Sequence, residues 1–329
     1  MAEIPVQWVC LLTDELWRVF RCQPAYWTAM TISYALSEED KNRINREFFD
    51  SYDHKYWFYK LKTNRILVDN LEEFVNEFGG EDLQEESIEG LRLSLKSEAV
   101  YDFFHTTEAL ISLFIANRVS YIPWRKMRHL GVHQICDFIR DVILDDSLSQ
   151  EDIRYAFYRG IGEDALEESE ELRESVEFIE TYLKTVGTRF LDNDLYNEYK
   201  HGLRVVTSRK SVTITDEEAQ KTVLDEEGSV HTYLQSERIQ KDGSDEIHQL
   251  IKATEWFDYE VYHDLSLFNY YMIKQMFDSL RQNIRGGDEE GMLDITLFDY
   301  ELEDLFEDNE YRLTEKHRYP VGEKLYELG

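Results

Sequence analysis

Cysteine is scarce in this sequence, and its three residues, Cys10, Cys22 and Cys136, form no C-x-x-C pair. A disulfide or zinc framework is therefore not what holds the chain together, and a reducing compartment is expected. Proline is scarcer for the length, 4 in 329 residues, which argues for long helices and against a loop-rich all-β fold. There is no G-x-G-x-x-G, no P-loop, no G-x-S-x-G and no H-E-x-x-H, and this argues against dinucleotide enzymes, P-loop NTPases and common hydrolases. Positive charge is also short: 36 Lys and Arg face 68 Asp and Glu, a net charge of −32. Such a surface repels polyanions, so broad DNA binding and binding to anionic membranes are not expected. The nearest basic stretches are Arg125-Lys126-Met127-Arg128 and residues 204–210. The most apolar window, residues 99–116, carries Asp102, His105 and Glu108, which speaks against a membrane span. The opening residues, Met1-Ala2-Glu3-Ile4-Pro5, show no charged segment followed by an apolar one, and the expected location is the cytoplasm.

What is present is apolar and aromatic material: 42% hydrophobic residues, with 21 Tyr, 18 Phe and 6 Trp. That is enough for a packed interior in a chain of this length. The periodicity predicts a mainly α protein (α+β), a helical bundle with a small antiparallel β-sheet inserted after one helix. Residues 1–80 read as an aromatic-rich helical region, with a break near 51–54 and an end at Gly79-Gly80. Residues 81–90 are acidic and polar and read as a linker. Residues 91–285 read as the bundle core. Its best helix spans about 98–118, with Val100, Phe103, Phe104, Thr107, Ile111, Phe114 and Ile115 forming a wide apolar face. Pro123 bars continuation, Ser149 can cap a later helix, and a helical pattern runs from 164 to 186. Alternation of period two over about 203–240 predicts the sheet, with a hairpin turn at Asp225-Glu226-Glu227-Gly228. A long helix is expected over 245–284, and residues 288–329 form an acidic tail.

Two stretches concentrate reactive side chains. On the 98–118 helix, Tyr101, His105, Glu108 and Ser112 share a stripe beside the apolar face. If it points inward, His105 and Glu108 could share a proton or a ligand. The second stretch, 192–204, contains Asn197, Glu198, Lys200 and His201 just before Gly202. Here His201 is a candidate acid or base, Asn197 could orient a substrate, and Lys200 suits a helix C-terminus. The competing reading is a capping cluster at a helix end. Glu198-x-x-His201 and Glu260-x-x-His263 also have the i, i+3 spacing found in di-iron bundles, with Glu108 as a further candidate ligand for a divalent metal. No other cofactor is expected.

The 192–204 stretch resembles helical-bundle proteins of the HEPN type, through Asn197 four residues before His201 near a helix end in an acidic, helix-rich chain. Some members of that family are ribonucleases of toxin and defence systems. Their pattern, Arg followed after four to six residues by His, is not met at His201, but it occurs at Arg128 and His133 and again at Arg312 and His317. The resemblance implies an RNA substrate and a site made by dimerisation. Three functions therefore stand side by side: a binding module that uses aromatic surface and acidic tail to engage a protein partner or itself; a HEPN-like ribonuclease; and a metal-dependent helical protein.

Overall fold

The computed structural model describes residues 36–78, 85–119, 122–159, 169–191, 196, 198, 205–216, 221–239, 247–285, 296–298 and 314–318. The chain divides into two compact units, Met1–Asp40 and Lys41–Gly329. Of the first, only residues 36–40 are described; there Ser37 Oγ accepts the Asp40 N–H at 3.1 Å and opens helix α1, Glu38–Ser51. That is an N-cap serine satisfying a backbone donor that the helix itself cannot.

In the second unit, α1 is followed by α2 (Tyr56–Asp69) and α3 (Leu71–Phe78). The break at 52–55 falls where the sequence places it. A second break, at Asn70, follows from that side chain donating back to Ile66 O at 2.9 Å and ending α2. Next comes α4, Glu85–Val119, 35 residues long. The linker expected at 81–90 is thus corrected over 85–90, which form the first turns of this helix. Polar composition marks the exposed start of a long helix as readily as it marks a linker.

Pro123 opens α5 (Pro123–Arg128), and α6 (Val132–Phe138) runs into a π-helical turn, Ile139–Ile143. Ser149 caps α7 (Gln150–Phe157) as expected, accepting from Asp152 N at 3.1 Å. Helix α8, Glu170–Leu191, passes through Gly187 without interruption. A Cβ at Gly187 would come within 2.9 Å of Ile139 Cγ2, so the glycine admits the π-helical turn against α8.

The sheet is antiparallel, in the order β1-β2-β3-β4, with β1 Val205–Asp216, β2 Lys221–Ile239, β3 Ile247–Phe257 and β4 Thr314–Arg318. Two expectations are corrected here. The turn expected at Asp225–Gly228 lies inside β2, where Gly228 pairs with Lys210 and sits close under Trp256. The helix expected from 245 is strand β3 as far as Phe257, and only then α9, Tyr259–Arg285. Ile247, Leu250 and Ile251 fit either period. The long pairing of β2 with β3, from Ser229↔Phe257 to Ile239↔Ile247, decides for the strand. Asp258 then starts the helix by accepting Glu260 N at 2.8 Å.

Helix α4 is buried on nearly all sides between residues 97 and 117, as its apolar composition predicts. Helices α8 and α9 cover it on one flank. There Asn269 donates to Thr106 Oγ1 at 3.1 Å and Thr107 Oγ1 at 3.0 Å, and accepts Tyr182 O–H at 2.9 Å. The sheet covers the N-terminal half of α4, through Ser97 to Thr207 and Arg209 to Glu89. Among the described residues, no helix is long and apolar enough to cross a membrane.

The Asn269 network joins three helices and is fully buried, so opening it strands several polar atoms at once. Asn269→Ala is expected to lower unfolding free energy by roughly 2–4 kcal/mol in urea titrations. Combined with Tyr182→Phe, it should fall short of additivity by about 1 kcal/mol.

Candidate functional site

One stripe of α4 carries Glu98, Asp102, His105 and Glu108 at successive helical turns. Helix α2 lies antiparallel across it. Trp57 meets His105, with ring centroids 6.4 Å apart; Lys60 Nζ lies 2.5 Å from Asp102 Oδ1 and 2.9 Å from Glu98 Oε1; Asn64 Nδ2 donates to Leu95 O at 2.9 Å. Helix α9 closes the same side. Tyr259 O–H donates to Asn64 Oδ1 at 3.1 Å, and the Tyr259 ring lies 5.7 Å from that of His263.

At the other end, Tyr196 O–H donates to Glu108 Oε2. The Tyr196 ring stacks on Phe104 and meets His105 edge-on at 5.6 Å. The His105 imidazole is thus held between two aromatic rings, half-buried, with a carboxylate and a phenol one turn away.

Asp102 sets the electrostatics. Its side chain is fully buried, and burial raises its pKa to about 6 although Lys60 pulls in the opposite direction. Burial also disfavours the Lys60 ammonium, but its bonds to Asp102 and Glu98 outweigh this and hold the pKa above the ordinary lysine value. Asp102 Oδ2 and His263 Nε2 are both buried without a hydrogen-bond partner. His263 also acts electrostatically on Asp102, against the effect of burial. The stripe therefore combines an acid that titrates near pH 6 with an imidazole and a tyrosine–glutamate pair, groups that can hold and pass protons.

Of the residues singled out from the sequence, His105 and Glu108 are brought together with Tyr196. Asn197, Lys200 and His201 lie outside the described residues; their neighbour Glu198 is helical and partly buried. Arg128 ends α5 and His133 lies in the first turn of α6, both exposed. The two therefore sit on separate helices with Gly131 between them. Arg312 lies outside the described residues, and His317 is on strand β4, not on a helix. Glu260 is exposed and paired with Arg65, whereas His263 is buried beside Tyr259. Among the described residues, no three His, Cys, Asp or Glu side chains are grouped as metal ligands would be.

The sequence reading missed Lys60, the role of Asp102, and a second polar pair. Ser97 Oγ lies 2.7 Å from His231 Nε2, and the imidazole is wedged between Tyr101 and Phe257. Burial pushes the His231 pKa down to about 3 and keeps the ring neutral. Ser97 and His231 are both buried, so this pair joins helix to sheet. The available signal for Asp102 was a carboxylate inside the most apolar helix, which demands a cationic partner from another element.

Compared with protein-family models, curated proteins and solved structures, the chain matches none.

The Asp102 pKa gives a testable pH dependence. A carboxyl whose folded pKa lies above its ordinary value of 3.8 adds stability at low pH and loses it as pH rises through the folded value. Between about pH 4 and pH 6 the wild type should lose stability relative to Asp102→Asn. Denaturant unfolding across that range measures the difference, and parallel pH profiles for the two proteins would refute the assignment.

Proposed function

We propose that the protein is a binding module and that its partner docks on an aromatic face formed by α1, α2, α5 and α9. The observation that carries this reading is a continuous ladder of rings. Trp124 stacks on Phe48 at 5.2 Å, and Phe48 meets Tyr52 at 5.6 Å. Tyr52 stacks on Phe277 at 5.1 Å, and Phe277 meets His54 at 5.8 Å. His54 leads to Tyr270 at 6.3 Å, which contacts Phe58 at 5.5 Å and Tyr271 at 5.3 Å; Phe58 continues to Tyr59.

Trp124, Tyr52, Tyr59 and Tyr271 are 39–52% exposed. Exposed aromatics anchored on buried ones are the usual material of interface centres. With a net charge of −32, the body attracts a basic partner, and tyrosine and tryptophan faces accept guanidinium groups. An arginine-bearing protein segment is the partner that fits both properties.

A second reading, ribonuclease activity of the HEPN kind, is favoured by a separate observation. Tyr196, which precedes Asn197 and His201 in sequence, bonds to Glu108 beside His105. Two imidazoles serving one phosphodiester could act as base and acid.

The two readings separate experimentally. Fluorescence anisotropy with an arginine-rich peptide should show saturable binding, weakened about tenfold or more by Trp124→Ser or Tyr59→Ser. Binding that these changes leave intact would be mere charge attraction and would remove the first reading. Single-stranded RNA incubated with wild type, His105→Ala, His133→Ala and His201→Ala tests the second. It survives only if the wild type cleaves and at least one histidine variant does not.

A further inference from the structure

Arg159 lies just past the end of α7. Four other partly buried arginines, Arg65, Arg92, Arg118 and Arg281, each lie within 4 Å of a carboxylate. Among the described residues Arg159 makes no such pair. Its Nη2 donates to the backbone carbonyl of Asn117 at 3.1 Å, and its guanidinium carbon sits 4.1 Å from the centre of the Tyr155 ring. Its own carbonyl accepts the Ser279 hydroxyl at 3.4 Å. Its Nε is buried and has no partner among the described residues. Burial lowers its pKa, with Tyr155 opposing. Asp152, on α7, is held by Arg118 at 2.7 Å and by Ser149.

Beside it, Asn117 is 1% exposed, and neither its Nδ2 nor its Oδ1 has a hydrogen-bond partner. Buried donors and acceptors are almost always matched, and an unmatched one is costly. Here three unmatched atoms belong to two residues that touch, and one of them carries a positive charge. In a protein with nearly two acids for every base, a partly buried guanidinium with no carboxylate partner among the described residues stands out.

We propose that Arg159 and Asn117 form a binding site for a phosphate group, either inorganic hydrogen phosphate or the phosphate of a small monoester. The guanidinium supplies the charge and a preset donor in Nε–H, held in orientation by Asn117 O and the Tyr155 ring. Asn117 Nδ2 adds a neutral donor. Asn117 Oδ1 needs a donor in return, and a protonated phosphate oxygen provides one. A simple carboxylate has no such hydrogen, so the unmatched acceptor favours phosphate.

The test follows the Arg159 Nε–H resonance of the wild-type protein by nitrogen-15 NMR. Inorganic phosphate is added, with sodium acetate and sodium chloride at equal ionic strength as controls. The proposal expects a saturable shift at one phosphate per chain, little response to acetate and none to chloride. Calorimetry should then show phosphate affinity lowered roughly tenfold to a hundredfold in Arg159→Gln. No saturable shift, an equal response to acetate, or undiminished affinity in Arg159→Gln overturns it. If Arg159→Gln does not fold, the wild-type resonance decides alone.

Discussion

A helix buried on nearly all sides cannot lie at a surface, and α4 is such a helix from residue 97 to 117. The rest of the unit from Lys41 onward is the set of elements that cover it. Helix α9 and helix α8 bring a long apolar flank, including Leu265, Phe268, Met272, Val176 and Ile179. The sheet brings one face, Thr207, His231, Tyr233 and Ala253, to the N-terminal half. Helix α2 covers the remaining stripe, the one flank with charge on it. Covering Asp102 without Lys60 would leave a bare carboxylate in a low-dielectric setting, which costs several kcal/mol. The place where α2 crosses α4 is therefore fixed by one ion pair as much as by packing, and the neighbouring contacts at Trp57 and Asn64 follow in register from it.

The same constraint explains which parts of the fold were legible in the sequence. Long periodic segments were read correctly in kind: the central helix, its apolar face, the stop at Pro123, the Ser149 cap and the presence of an antiparallel sheet. The errors lie where a local pattern is ambiguous and a distant partner decides. Ile247, Leu250 and Ile251 satisfy a helical face and a strand alike, and β2 settles the matter by pairing along the whole of β3. Asp225-Glu226-Glu227-Gly228 has the composition of a turn, yet β1 runs alongside it and holds it extended. Residues 85–90 have the composition of a linker, yet they form the first turns of α4, whose later turns are buried.

The candidate site was legible only in part, for a related reason. His105 and Glu108 could be found because both lie on one helix at helical spacing. Tyr196 and Lys60 could not be assigned to them, because nothing local in those residues says which helix they will face. Asp102 was visible as an oddity in an apolar window. Its physical meaning, a buried charge requiring a cation from elsewhere, was available from the sequence, but the identity of that cation was not. Arg159 and Asn117 left no sequence signal at all, since unmatched atoms are a property of packing.

Electrostatics orders the two functional readings. An RNA strand approaching His105 would meet Glu98, Asp102 and Glu108 on the same stripe, and the cation there, Lys60, is already committed to two of them. A polyanion would have to overcome both the local acids and the field of the whole chain before any histidine could act on it. The aromatic ladder imposes no such conflict. Its rings carry no net charge, their faces attract cations, and the surrounding acidity draws a basic partner toward them. Contact on that face would bury rings that are already ordered by stacking on Phe48, Phe277 and Tyr270, so little side-chain freedom is lost on binding. The aromatic face thus asks for nothing the rest of the chain opposes, and for that reason it is the stronger reading.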